Sequence, residues 1–139
     1  MGAGKREGSG TKAAPMEFKP YIAVDLDGTL AKQYWPQDGD FHPLRIGEPI
    51  MPMVNRVKKM LEDGMTVKIF TARVGPIGNS PHNKGLKKAD VQRAIFEWTQ
   101  KHIGVGLEAT SVKDYCMVEL WDDRSIRIIH NTGTRCCEE

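Results

Sequence analysis

Two short acidic runs and one hydroxyl carry the side chains best suited to chemistry. Asp25-Leu26-Asp27-Gly28-Thr29-Leu30 follows the apolar run Tyr21-Ile22-Ala23-Val24, and Asp122-Asp123 follows the run from Cys116 to Trp121. Thr71 ends a third apolar stretch, Val67 to Phe70. Carboxylates held close together repel, and each resists ionising unless a divalent cation sits among them. Mg2+ is the natural candidate, since it takes hard oxygen ligands in octahedral geometry and keeps several waters. A calcium-binding EF-hand loop starting at Asp25 is excluded by spacing. Its sixth position is Leu30 where Gly is required, and its twelfth is Pro36 where a bidentate Glu is required.

For these residues to meet, their strands must run parallel. Tyr21 to Val24 is short and almost wholly apolar, which suits a strand buried on both faces. Met53, Val54, Val57, Met60 and Leu61 fall at helical spacing, with Pro52 in the first turn and Gly64 at the C-terminal cap. Val67 to Phe70 reads as the next strand. Strand, helix and strand with short joints make a right-handed crossover between parallel strands. A second amphipathic helix carries Val91, Ala94, Ile95, Trp98 and His102 on one stripe and closes at Gly104. Leu107 to Val112, Cys116 to Trp121 and Ile126 to Ile129 complete the expected strands. In an open parallel sheet, ligands bind beyond the carboxyl ends of the strands. Asp25, Thr71, Asp122 and Asp123 all fall at that edge.

The order of these motifs, a strand ending in Asp25-x-Asp27-Gly28-Thr29-Leu30, a strand ending in Thr71 and a strand ending in Asp122-Asp123, resembles the haloacid dehalogenase (HAD) superfamily of aspartate-nucleophile phosphatases. The resemblance spans roughly Tyr21 to Ile129. It implies an α/β fold with a three-layer, Rossmann-like, mainly parallel sheet and helices on both faces. It also implies a magnesium-dependent phosphohydrolase that cleaves phosphomonoesters. Asp25 would attack phosphorus and form an aspartyl-phosphate, splitting one hard hydrolysis into two displacements. Asp27 would protonate the departing oxygen and later take a proton from the attacking water. Asp25, the backbone carbonyl of Asp27 and Asp122 would hold Mg2+, with Asp123 a more distant or water-mediated ligand, and Thr71 would donate to a phosphoryl oxygen. Gly28 would let the chain turn sharply enough for both carboxylates to face one phosphate.

A lysine that compensates charge at the nucleophile is also implied. Lys113, nine residues before Asp122, is the first choice for this phosphate-binding role. A straight strand would nevertheless carry it to the wrong edge, since nine extended residues cover about 30 Å. Lys84, Lys87 and Lys88, just ahead of the second helix, compete for the role. Arg73 and Arg124 flank the site and could hold phosphate or orient acids. Glu119 receives no role. Trp35, Phe41 and His42 lie in a proline-punctuated connection, and packing is the expected use of them. His42, His82 and His130 lack metal-ligand spacing, and Cys136-Cys137 lacks the spacing of a zinc site.

The 139 residues, 40% of them apolar, suit one domain. Residues 1–17 read as a flexible tail, 18–130 as the domain and 131–139 as an irregular C-terminal tail. Gly2-Ala3-Gly4-Lys5 imitates the end of a P-loop, but no strand precedes it and Arg6 stands where Ser or Thr should hold magnesium. Twenty Lys and Arg against 18 Asp and Glu leave a net charge of +2, too little to grip a nucleic-acid backbone by charge alone. The expected partner is a phosphorylated small molecule or a nucleotide, with nucleic acid only as a phosphorylated end. No apolar run approaches the ~20 residues that span a bilayer. Three cysteines, Cys136 and Cys137 adjacent and Cys116 alone in an apolar run, make no disulfide framework, so a reducing, cytoplasmic location is expected. The connections from about 31 to 50 and from 74 to 88 are too short for a cap domain, which predicts an open site. Two rival functions stand beside the phosphatase: a nucleotidase or polynucleotide-end phosphatase, and a non-catalytic module that binds phosphate or metal.

Overall fold

The computed structural model describes residues 17–33, 42–76 and 86–137. Trp35, Phe41, His82, Lys84, the residues of the P-loop-like start and parts of both connections lie outside them, so the expectation of an uncapped site is not examined by the structure. Chain order is β1 (Tyr21–Asp25), α1 (Met51–Glu62), β2 (Val67–Phe70), a single 3-10 turn (Ala72–Val74), α2 (Lys88–Ile103), β3 (Ala109–Thr110) and β4 (Met117–Trp121). The strands form one sheet in the order β3-β2-β1-β4, and every pairing in it is parallel.

Local sequence accounts for each helix. Pro52 occupies the first turn of α1, where a missing N–H costs nothing. Met53, Val54 and Val57 form its buried stripe, and Gly64 at φ 85° leaves the helix. In α2, Val91, Ile95, Thr99 and Ile103 are buried and Gly104 caps the helix at φ 105°. Both β1-α1-β2 and β2-α2-β3 step across the sheet in the same direction. Right-handed crossovers of that kind place both helices on one face. They do share one core with it: Ile22, Val24, Val67 and Ile69 from the sheet meet Val54, Val57, Val91 and Ile95 from the helices. Each side chain of this size contributes about 1.5–3 kcal/mol when fully buried.

Helices on both faces were expected, and the described residues put no helix on the second face. That side is crossed by residues 111–116, which carry the chain from β3 back to β4. Tyr21, 1% exposed, is the anchor beneath the crossing. Its hydroxyl donates to Asp114 Oδ1 at 3.1 Å, and the Lys68 ammonium lies 4.5 Å from its ring centroid. A further correction concerns the end of the chain. Ile126 to Ile129 does not join the sheet, and the residues after 130 are not an irregular tail throughout. Ile128 pairs with Arg135 in an isolated antiparallel bridge. Ile129 N–H donates to Thr134 O at 2.8 Å and Cys136 N–H to Arg127 O at 2.8 Å, which makes this stretch a small exposed hairpin. Ile126, Ile128 and Ile129 are 59%, 50% and 44% exposed, so no core draws the segment in as a strand. Among the described residues no helix is long and apolar enough to cross a membrane.

Candidate functional site

Strand register sets the site. Asp25 pairs with Phe70, and Val24 pairs with Trp121. Asp25 and the residues that follow β2 and β4, Thr71 and Asp122, therefore emerge together at the carboxyl-end edge of the sheet. Beyond Asp25 the chain makes a tight turn held on Leu26, whose carbonyl accepts from Leu30 N–H at 3.0 Å and Ala31 N–H at 2.9 Å. Leu26, Leu30 and Ala31 are all 0% exposed. Apolar burial thus clamps the turn from below and leaves Asp25, Asp27 and Thr29 at its upper rim. Gly28 adopts φ 92°, and a Cβ there would sit 2.7 Å from Asp123 Oδ2. The position needs glycine twice over, for backbone conformation and for room.

Asp25, Asp122 and Asp123 each offer a carboxylate oxygen within 4.8 Å of the others. Thr29 links them, its hydroxyl lying 3.4 Å from Asp25 Oδ2 and 3.2 Å from Asp123 Oδ1. Asp122 Oδ1 accepts from Arg124 N–H at 2.8 Å, which fixes the turn after β4. Burial of Asp25, followed by the charge of Asp122 and a hydrogen bond with Asp123, pushes the Asp25 carboxyl up to about 7. The three acids expected at this edge do meet there, and Asp123, expected as the more distant ligand, offers an oxygen within the same 4.8 Å as Asp25 and Asp122.

Asp27 faces elsewhere. Arg73 Nε donates to Asp27 Oδ2 at 2.7 Å and an Arg73 Nη to Oδ1 at 2.9 Å. The other Arg73 Nη donates to Pro43 O at 3.0 Å. The guanidinium side chain is only 7% exposed. Thr71 is 3% exposed, and its Oγ1 accepts from Arg73 N–H at 3.1 Å, capping the 3-10 turn that presents the arginine. Thr71 and Arg73 therefore act as one unit, a link that the spacing Thr71-Ala72-Arg73 already carried in the sequence.

Of the lysines expected to compensate charge, Lys113 lies in the crossing between Thr110, beside the end of β2, and Met117, paired with Tyr21 at the opposite edge. It is exposed, and the structure gives it no hydrogen bond or ion pair with the acids among the described residues. Lys87 and Lys88 open α2 and are also exposed. Asp90 accepts from the Lys87 backbone N–H at 3.0 Å, so the lysine's contribution to the helix start is made by its main chain. His42 Nδ1 accepts from Leu44 N–H at 3.1 Å. Glu119 accepts from Trp121 Nε1 at 3.2 Å on the exposed face of β4. A cavity of about 540 Å³ opens between α2 and β3, lined by Arg93, Phe96 and Leu107 among others, and none of the clustered acids borders it.

Chemically, the site offers a half-buried carboxylate able to act as a nucleophile, two further acids within ligand distance, and a guanidinium with its own acid partner at the rim. Comparison of the chain with family models, curated proteins and solved structures gives no match.

Proposed function

We propose that the protein is a magnesium-dependent phosphohydrolase of the HAD type, acting on phosphomonoesters through an aspartyl-phosphate on Asp25. The observation that carries the reading is the meeting of Asp25, Asp122 and Asp123 within 4.8 Å at the carboxyl-end edge of a parallel sheet. Burial of Asp25, and after it the charge of Asp122 and the contact with Asp123, raises the Asp25 carboxyl to about 7, and an all-oxygen, highly charged donor set of this kind fits a hard divalent cation. Asp25, Asp122 and Asp123 would hold Mg2+, together with the Asp27 carbonyl that the resemblance implies. When bound, the cation would neutralise phosphate charge.

The chain's own residues supply the rest. Asp25 attacks phosphorus while Thr29, within hydrogen-bond reach of Asp25 and Asp123, restrains the direction of the carboxylate. Thr71 offers its hydroxyl proton to a phosphoryl oxygen while its lone pair caps the 3-10 turn. Asp27 delivers a proton to the leaving oxygen. For that step it must turn from Arg73 toward Asp25, and Arg73 then becomes available to the substrate's own anionic oxygens. The complete three-layer architecture and a role for Lys113, Lys87 or Lys88 belong to the same proposal.

One observation favours a second reading, a module that binds phosphate or metal without turnover: both oxygens of Asp27 are occupied by Arg73. A panel of sugar phosphates, nucleotides and 3′- or 5′-phosphorylated oligonucleotides, assayed with Mg2+, separates the two. The phosphatase reading expects phosphate release that EDTA abolishes and that Asp25→Asn removes while the circular dichroism spectrum is kept. A strong preference for nucleotides or oligonucleotide ends would narrow the class to a nucleotidase or end phosphatase. An inert wild type that still binds Mg2+ by calorimetry would leave the binding module.

A further inference from the structure

The hairpin that ends the described chain holds two adjacent thiols on one side. In extended backbone, neighbouring residues point to opposite faces of a strand, so adjacent cysteines normally diverge. Here they converge: Cys136 Sγ and Cys137 Sγ lie 3.6 Å apart, sharing a hydrogen bond. The cause is local backbone geometry, because Cys137 has φ 66°. A side chain other than glycine, asparagine or aspartate rarely adopts that left-handed region, and holding it there costs stability. Cys137 follows directly on the hairpin. Cys136 N–H donates to Arg127 O at 2.8 Å and Ile129 N–H to Thr134 O at 2.8 Å, while Gly133 takes the tight turn between them at φ 75°. Cys137 is exposed and Cys136 is partly so, which leaves both sulfurs accessible. The shared hydrogen bond with Cys136 also raises the Cys137 thiol above its ordinary value.

We infer that Cys136 and Cys137 form a bidentate dithiol site for a soft, thiophilic metal or metalloid ion, built by the hairpin and separate from the acidic cluster. Thiolate pairs favour soft centres over hard ones such as Mg2+, and pre-convergence removes part of the ordering cost of chelation. The site does not depend on the phosphatase reading. With phenylarsine oxide as the probe, the step balances: two S–H bonds break, two As–S bonds form, the arsenic-bound oxide leaves as water, and arsenic stays trivalent.

The test uses the reduced full chain. Titration with phenylarsine oxide should lower the free thiols of the folded protein from three to one and give a single adduct by intact-mass spectrometry. Cys136→Ser and Cys137→Ser should each lose the adduct, whereas Cys116→Ser should keep it. The hairpin is exposed, so the serine variants should retain the wild-type circular dichroism spectrum. Affinity should drop about tenfold in urea, where the left-handed backbone at Cys137 is no longer imposed. A wild type that keeps all three thiols, an adduct undiminished in Cys136→Ser, or equal affinity in folded and unfolded chains would overturn the proposal.

Discussion

Arg73 holds Asp27 by both carboxylate oxygens, at 2.7 and 2.9 Å, across 46 residues of chain. The fork matches carboxylate geometry, which a lysine could not reproduce. Because the Arg73 side chain is 7% exposed and that of Asp27 20%, removing one partner leaves the other poorly solvated. Arg73→Ala should cost about 2 kcal/mol in urea unfolding, below the ~3–5 kcal/mol of a fully buried pair because Asp27 retains some solvent. The double variant Asp27→Ala with Arg73→Ala should recover part of that loss, and Arg73→Lys should fall between wild type and alanine. A double-mutant cycle showing no coupling between the two positions would contradict this account.

At Gly28 the expectation is steric. Alanine there must hold φ 92° and place its Cβ 2.7 Å from Asp123 Oδ2. The backbone alone costs roughly 1–2 kcal/mol, and relief requires Asp123 to move out of the triad. Gly28→Ala should therefore lower the thermal midpoint and also weaken Mg2+ binding measured by calorimetry. Gly64→Ala supplies the control: its φ of 85° carries a similar backbone strain, but nothing lies within 4 Å of the added Cβ. That variant should lose stability without losing the cation.

On the proposed reading Thr71 has two functions, a structural cap and a phosphate contact, and substitution tests both. Its buried oxygen accepts from Arg73 N–H, and loss of such a cap costs about 1 kcal/mol. Thr71→Val keeps the shape but removes both the acceptor and the proton offered to phosphate, so stability and kcat should fall together. Thr71→Ser restores the hydroxyl and should recover most of kcat. If Thr71→Val loses stability but keeps full turnover, Thr71 serves the turn alone.

The legible parts of this molecule were those governed by local periodicity. β1, β2 and α1 follow from uninterrupted apolar runs and a helical stripe, and Gly64 and Gly104 end their helices where the pattern stops. Asp25 and Thr71 share an edge because a short strand-helix-strand joint makes β1 and β2 parallel, and Asp122 and Asp123 join Asp25 because β4 also pairs parallel with β1. Relationships between distant side chains were less visible. Nothing in the spacing of Asp27 and Arg73 announces a bidentate pair, since it depends on the 3-10 turn that Thr71 caps. The placement of both helices on one face depended on strand order, which periodicity does not contain. Ile126 to Ile129 misled for a different reason: β-branched residues favour strands, but here they pair only locally and stay exposed.

The pH dependence of stability follows from Asp25, whose carboxyl moves from an ordinary 3.8 to about 7 in the fold. Between those values the folded chain binds more proton than the unfolded chain, so stability falls as pH rises. Below about 4 both states are protonated and the penalty vanishes; above about 7 it is fully developed. In EDTA, the thermal midpoint of the wild type should decline across this window more steeply than that of Asp25→Asn, which has no carboxylate to charge at that position. On the proposed reading Mg2+ would compete with the same proton, so its affinity should weaken as pH drops through 7, and its stabilising effect should be greater at pH 8 than at pH 5. A wild type whose midpoint shifts with pH no differently from Asp25→Asn would show that neither burial nor the neighbouring Asp122 and Asp123 raises the Asp25 carboxyl in solution.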